Sequence, residues 1–383
     1  MAAPTNEKKV SYIHDDIAFS ILSKLPVKSL KRFSSVCKSW INLFENPIFI
    51  NMFRNNLLFT LYADDNDVYL ILDQLFELYD WKFYLLYGED KFQNKQKLDL
   101  PDYVDFIREA YDVEAISILG SGINGILCIY DHDTHTEVVL WNPATRGYMK
   151  VPYSVPDFQD EDSTDISLHG FGYDHVRDDY KIIEHVGYNA SCRTPSHVVF
   201  DPFWEIYSLE SNSWRKINYD MPIRARATSD VYLNGVCHWW RETNNETCLV
   251  SFNLCNEVCL TTPSPLPDVP PDGFGVHLTV LNGSLALISN RKNTASYQIS
   301  ILGEFGVKES WIRLFDVQLA SCIEQPIGAG MKGNIFFRKK DDQLACFDLT
   351  TGLIEDIGLQ GTDYACQVVH YRITLPSIGE INV

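Results

Sequence analysis

Three groups of residues in this chain have the types that do chemistry. Gly120, Gly122 and Gly125 have the spacing of a dinucleotide-binding turn, in which the glycines let the backbone approach a pyrophosphate and a helix N-terminus directly after them receives it. The next residues are Ile126-Leu127-Cys128-Ile129-Tyr130, an apolar run with the character of a strand, so the glycines predict a hairpin and no nucleotide. Asp131, His132, Asp133 and His135 are metal-ligand types, yet they fall in an expected hairpin loop, where polar turn residues are the default. Cys237, Cys248, Cys255 and Cys259 cluster but lack the paired Cys-x-x-Cys spacing of structural zinc, and read as buried strand thiols. No His-Glu-x-x-His, nucleophile elbow or P-loop occurs. The expectation is no catalytic residue, no metal and no cofactor.

The elements that carry these residues are mostly strands. From about residue 57 short β-rich runs are divided by Asn, Asp, Gly and Pro. A unit recurs at a spacing of about 45 to 65 residues: an Asn-Gly or Gly-Asn turn, an apolar strand, a polar loop, a second strand, an Asn/Asp/Ser turn and a third strand. Its copies open at Asn124-Gly125, Phe171-Gly172-Tyr173-Asp174, Asn234-Gly235, Asn282-Gly283 and Gly333-Asn334, with Phe83-Tyr84-Leu85-Leu86-Tyr87 and Leu98 as a degenerate sixth. Such a unit cannot bury both faces alone, so copies must stack, and closing them into a ring hides the edges. The pattern predicts a β-propeller of about six blades, with the late strand Ala365-Cys366-Gln367-Val368-Val369-His370-Tyr371 completing an early blade; two stacked sandwiches are the alternative. Neither a Gly-Gly nor a Trp-Asp dipeptide occurs, so this is no orthodox kelch or WD propeller.

Before the strands comes a different pattern. Ile17, Ala18, Ile21, Leu22 and Leu25 recur at helical spacing behind Asp15, which is placed to cap the first turn. Pro26 breaks the pattern, and Leu30, Phe33, Val36, Cys37, Trp40, Leu43 and Phe44 mark a second apolar face. A helical unit of about 45 residues carries more large apolar side chains than it can hide from itself, so it calls for a partner or for the next domain. Lys24, Lys28, Lys31, Arg32 and Lys38 make it basic within a chain of formal net charge -19, which favours an acidic partner.

Residues 11–56 resemble an F-box, through Asp15-Asp16-Ile17, Ile21-Leu22, Leu25-Pro26, Lys28-Ser29-Leu30, Arg32-Phe33, Val36-Cys37-Lys38-Ser39-Trp40, Leu43 and Pro47-Ile48-Phe49. Ile13-His14 stands where the family usually has Leu-Pro, which predicts weakened but retained adaptor affinity. Leu140-Trp141-Asn142-Pro143-Ala144-Thr145, Gly170-Phe171-Gly172-Tyr173-Asp174 and Tyr180-Lys181-Ile182 extend the resemblance to the plant F-box proteins with a kelch-like F-box-associated interaction domain, a family that includes the S-locus F-box proteins of pollen. The resemblance implies a flexible tail over 1–10, an F-box over 11–56 and the β-propeller-like domain over 57–383. It further implies the substrate receptor of an SCF-type ubiquitin ligase, bound through a Skp-type adaptor to a cullin, without catalysis of its own. The expected adaptor contacts are Ile17, Ile21, Leu22, Leu25, Pro26, Leu30, Val36 and Trp40. Target binding is expected on loops 157–165, 188–195, 241–246 and 291–294, with Asp160, Glu161, Tyr188, Arg193, Arg241 and Arg291 as candidates.

The composition sets outer bounds. Length 383 with 45% hydrophobic and 13% aromatic residues supports a large core. The polar opening and the lack of any stretch of about 18 apolar residues lead to the expectation of a soluble, unsecreted protein of the cytoplasm or nucleus, with reduced cysteines and no membrane partner. The sequons at Asn189, Asn245 and Asn282 lose their meaning there. A sequence pI near 4.9 argues against nucleic acid. Two rivals stand beside the receptor: a propeller hydrolase, which requires a pocket of convergent carboxylates with strongly shifted pKa values, and a scaffold that uses the F-box outside a ligase.

Overall fold

The computed structural model describes residues 15–25, 29–30, 33, 40, 46–50, 52–53, 68–75, 81–87, 94–104, 116–131, 136–154, 164–188, 201–223, 230–242, 247–266, 275–281, 283–290, 296–319, 322–330, 333–361 and 366–372. The N-terminal segment holds helix α1 (Asp15–Leu22). Helical residues recur at Ser29, Leu30 and Phe33, and a further helical turn begins at Pro47, whose fixed φ suits a first helical position; Asn46 caps it, its Oδ1 accepting the Ile48 and Phe49 amides at 2.9 and 3.3 Å.

Strands make up most of the other described residues. In chain order they are β1 (Val68–Leu75), β2 (Trp81–Tyr87), β3 (Asn94–Leu98), β4 (Ile116–Ile118), β5 (Leu127–Asp131), β6 (Val138–Asn142), β7 (Gly147–Lys150), β8 (Thr164–Asp174), β9 (Asp179–Tyr188), β10 (Phe203–Ser208), β11 (Ser213–Ile217) and β12 (Val231–Leu233). Next come β13 (Val236–Glu242), β14 (Thr247–Asn253), β15 (Val258–Pro263), β16 (Val276–Leu281), β17 (Ser284–Asn290), β18 (Ser296–Leu302), β19 (Trp311–Gln318), β20 (Ile323–Ala329), β21 (Asn334–Lys339), β22 (Gln343–Asp348), β23 (Ile354–Gln360) and β24 (Cys366–Arg372). Among the described residues they form six four-stranded antiparallel sheets.

Two turn types build these sheets, and both can be read from the sequence. Asn124 and Gly125 have φ of 48° and 77°, and Asn234 and Gly235 have 49° and 82°, the paired positive φ of a tight hairpin turn that Asn-Gly adopts at low cost. The second turn uses an Asx side chain. Asn142 Oδ1 accepts the amides of Ala144 and Thr145 at 3.0 and 3.3 Å, and Asn253, Asp348 and Asp174 do the same two and three residues ahead. The repeat has four strands where the turn pattern gives three. The strands it misses include β4 and β12, three residues each, too short to show a period. The returning run, at Val138, Trp204, Leu249 and Leu344 alike, is therefore the third strand of its sheet and not the second.

The sheets close into a ring. Contacts run from β8 to β12, β12 to β16, β16 to β20 and β20 to β24. From β24 the ring continues to the β4 segment, where Gln367 Nε2 donates to the Ile118 carbonyl at 2.7 Å and the Gly122 amide to the His370 carbonyl at 2.8 Å. Leu119 and Ile123 then pack with Leu168 and Phe171 of β8. As the late apolar run predicts, β24 pairs antiparallel with β1, with Val369 opposite Ile71, and so completes the first sheet with the last of the described strands.

The helical segment is not a separate body. Leu22, Leu30, Phe49 and Phe53 are buried in one cluster with Leu281, Ile299, Ile312, Leu314 and Ile335 of the sheets β16–β19 and β20–β23. Burying four such side chains contributes about 1.5 to 3 kcal/mol each before the entropy cost, so the segment has a floor beneath it.

Candidate interaction surfaces

Helix α1 has apolar residues on two faces. Ala18 and Leu22, one turn apart, are 7% and 4% exposed, while Ile17 and Ile21, also one turn apart, are 56% and 57% exposed. Phe33 and Ile48 are exposed as well. On the buried side Phe19 of α1 meets Phe49 edge to face at 5.5 Å, and beyond the helix Phe33 lies against Trp40 at 6.2 Å. Of the eight expected adaptor contacts, Ile17 and Ile21 are open, Leu25 and Trp40 are half-buried against the core, and Leu22 and Leu30 lie inside it. Pro26 and Val36 lie outside the described residues. The spacing that revealed the helix carries no signal for which apolar face turns inward.

Of the expected target-binding residues, Tyr188 ends β9 and Arg241 is in β13, both half-buried. Asp160, Glu161, Arg193 and Arg291 lie outside the described residues, as do His132, Asp133 and His135. Among the described residues no three His, Cys, Asp or Glu side chains converge as metal ligands. Gly120 and Gly125 lead into strand β5 and no helix, so there is no N-terminus there for a pyrophosphate. Cys237 and Cys248 are buried thiols, and burial pushes the Cys237 pKa well up and that of Cys259 up to about 11.

Two polar clusters went unseen in the sequence. In the first, Lys181 of β9 is 4% exposed and lies 2.7 Å from Asp174 of β8, whose side chain is wholly buried. Lys181 also donates to the Leu254 carbonyl at 3.1 Å, and Arg177 to Asp174 at 2.8 Å. Burial alone would raise the Asp174 pKa; the hydrogen bonds from Lys181, Cys255 and Arg177 outweigh it and hold the carboxyl well below its ordinary value. Arg177, Lys181, Arg215 and Glu257 line a cavity of about 210 Å³ at the rim.

The second is a carboxyl pair. Glu184 of β9 and Glu205 of β10 are register partners, 2% and 6% exposed, and the Ser154 hydroxyl donates to Glu205. Burial, with the neighbouring Glu205 carboxyl, raises the Glu184 pKa well above its ordinary value, and burial raises that of Glu205. These are the convergent, shifted carboxylates a hydrolase would need, but they sit in the packed interior, and neither the 210 Å³ cavity nor one of about 280 Å³ between Leu85, Trp141 and Tyr371 includes them. No substrate-sized approach joins them to solvent through either cavity among the described residues.

Comparison with known proteins bears on the same two regions. Residues 11–51 match the F-box domain and residues 70–370 the F-box associated beta propeller domain. An Arabidopsis thaliana protein named F-box protein CPR1 is 23% identical over 96% of this chain and 90% of its own length. An F-box/kelch-repeat protein of the same plant is 24% identical over 80% of each chain. Among solved structures, a chain of the nidogen/laminin complex is similar with a TM-score of 0.47 and 10% identity, over 79% of this chain and 98% of that one. With the propeller family covering most of its length and an F-box ahead of it, the chain belongs to the plant F-box proteins that carry an F-box-associated β-propeller domain.

Proposed function

We propose that the chain is the substrate-recognition subunit of an SCF-type ubiquitin ligase, active in the cytoplasm or nucleus. The observation that carries this reading is the pair Ile17 and Ile21, more than half exposed on α1 of an F-box in which Leu22 and Leu30 are covered. Two isoleucines left bare in this way forgo about 1.5 to 3 kcal/mol each, which a docked Skp-type adaptor recovers. Ile17 and Ile21 make the contact, with Leu25, Pro26, Val36 and Trp40 as further adaptor contacts in this reading, while Leu22 and Leu30 hold the helices in place from beneath. The adaptor in turn recruits a cullin.

Each four-stranded sheet is one blade, and the propeller holds the target. A receptor acts by raising the effective concentration of target lysines near charged ubiquitin, which needs surfaces and no catalytic group of its own. Target contact is assigned to Tyr188 at the end of β9 and Arg241 of β13, with Asp160, Glu161, Arg193 and Arg291, which lie outside the described residues, as further candidates. A chain of net charge -19 gives a phosphate backbone no footing, so neither nucleic acid nor membrane is a partner in this reading.

The test compares the full chain with an Ile17→Lys/Ile21→Lys version in plant cells. Proteins captured by both should carry ubiquitin, and turn over, only with the unaltered chain. Equal ubiquitination with both versions would overturn the reading in favour of a scaffold outside the ligase.

A further inference from the structure

The cavity of about 280 Å³ lies where the first sheet meets the sheet β4–β7. Its floor is buried: Leu85 of β2, Trp141 of β6 and Tyr371 of β24 are 7%, 1% and 2% exposed. Leu98 and Pro143 carry the apolar wall up to the rim. Asn142 shapes one side, because its Oδ1 accepts the Ala144 and Thr145 amides and so folds Pro143 and Ala144 into the wall. Small-molecule pockets begin at about 300 Å³, so the space suits a small ligand and is too narrow for a polypeptide segment.

The floor contains one unspent polar group. The Tyr371 hydroxyl is buried and has no hydrogen-bond partner among the described residues. Gly122 backs the ring, since a Cβ there would stand 2.9 Å from Tyr371 Cδ2. The hydroxyl lies by the backbone of Ala144, another wall of the cavity. The Ala144 amide is a donor, directed at Asn142 Oδ1 at 3.0 Å, and cannot accept the phenolic hydrogen. Burial pushes the Tyr371 pKa up to about 12, which keeps the phenol a donor at neutral pH. A buried donor without an acceptor is costly, and the cavity is the side from which an acceptor can come.

The charged walls are Lys97, Asp99 and Arg146. All three stand at the rim: Arg146 and Asp99 pair with each other at 3.4 Å with side chains 80% and 78% exposed, and Lys97 is exposed on β3. Water screens charges placed in this way. The floor carries no charge, so an ion would give up its hydration there with nothing to replace it. Selection falls to shape, to the aromatic floor, which favours a planar occupant, and to the one hydrogen bond.

We propose that this cavity is a ligand site for a small, planar, uncharged ring molecule, with its ring against Leu85 and Trp141 and a carbonyl oxygen that accepts the Tyr371 O–H. The ligand touches residues of both sheets and ties the one closed by β24 to its neighbour. The inference is independent of the receptor reading.

The probes are coumarin and 2-quinolone, two-ring molecules with a carbonyl, and naphthalene, which has the rings alone. Each is titrated into the full chain at up to about millimolar concentration, followed by saturation-transfer NMR and by the melting temperature. Saturable binding of the carbonyl probes and a raised melting temperature are expected. Tyr371→Phe removes only the hydroxyl and should weaken the carbonyl probes about tenfold while leaving naphthalene unchanged. Ala144→Trp, at an exposed position of the wall, should block all three. Without ligand, Tyr371→Phe should melt no lower than the unaltered chain, because the hydroxyl it removes has no partner to lose. No saturable binding of either carbonyl probe overturns the proposal, as does binding equal in the Tyr371→Phe chain or undiminished by Ala144→Trp. A lower melting temperature for ligand-free Tyr371→Phe also overturns it, since the hydroxyl would then be satisfied by the protein or by a fixed water.

Discussion

Ile21 and Leu22 are neighbours in sequence with opposite environments: Leu22 is 4% exposed and packed with the sheets β16–β19 and β20–β23, and Ile21 is 57% exposed on the same helix. Leu22→Ala should therefore cost about 2 to 5 kcal/mol of stability, and Ile21→Ala less than about 0.5 kcal/mol. Chemical denaturation of the two variants checks this. Similar costs for both would mean that α1 turns a different face to the core.

Ring closure by the last strand makes β24 the keystone of the first sheet. Val369 is 7% exposed and pairs with Ile71, so Val369→Asp places a charge in a packed interior and should cost about 4 kcal/mol or more. The melting temperature should fall steeply, with loss of the cooperative transition. A transition unchanged from the unaltered chain would contradict the pairing of β24 with β1.

Asp174 and Lys181 form a buried pair, 2.7 Å apart. Removing one partner leaves the other charge uncompensated, so Asp174→Ala should destabilise the chain by about 3 kcal/mol, and the double change Asp174→Ala/Lys181→Met by less. A double-mutant cycle measured by urea unfolding gives the coupling, and additive costs would show that the pair does not interact. With the folded Asp174 pKa lowered, the stability it contributes is present above the unfolded carboxyl range and is lost as pH falls through the folded value.

The Glu184 and Glu205 pair has the opposite sign. Both folded pKa values are raised above the ordinary 4.5, so the folded chain holds more protons than the unfolded one as pH rises from there. Stability from this pair is full below the ordinary value and falls with rising pH, by at most about 1.4 kcal/mol per pH unit for each proton. Glu184→Gln should flatten that slope and leave the variant more stable than the unaltered chain at pH 8. Parallel pH profiles of the two proteins would contradict the raised values.

Burial pushes the pKa of His238 down to about 3 and those of His277 and His370 to about 4. Each is held neutral in the fold, so stability is present above the unfolded value of 6.5 and is lost as pH drops from there. The loss should appear between pH 6.5 and about 4 and shrink in a His370→Leu chain. An acid limb identical in that variant would contradict the assignment to His370.

Much of this architecture was legible in the residues because its signals are local. Asn124-Gly125 and Asn234-Gly235 announce hairpins through the positive φ they tolerate, and the late apolar run around Val368 and Val369 marks β24 as a strand that completes an early blade. What escaped has no local signal. Strands β4 and β12 are three residues long and exist because the ring needs an inner strand at that place. The meeting of Glu184 with Glu205 depends on a register between β9 and β10, and the burial of Lys181 depends on Leu254 and Glu257 arriving from another sheet. The F-box pattern identified its helices but could not separate Ile21 from Leu22, since both belong to one apolar surface in sequence and only packing assigns one of them to the core.

The central claim is that exposed isoleucines on α1 hold a Skp-type adaptor, and isothermal titration of the full chain with that adaptor tests it most directly. Saturable one-to-one binding is expected, weaker than for an F-box that has Leu-Pro where this chain has Ile13-His14, and lost in Ile17→Lys/Ile21→Lys with its unfolding transition intact. Absence of heat from a well-folded unaltered chain, or binding undiminished by the double substitution, would contradict it.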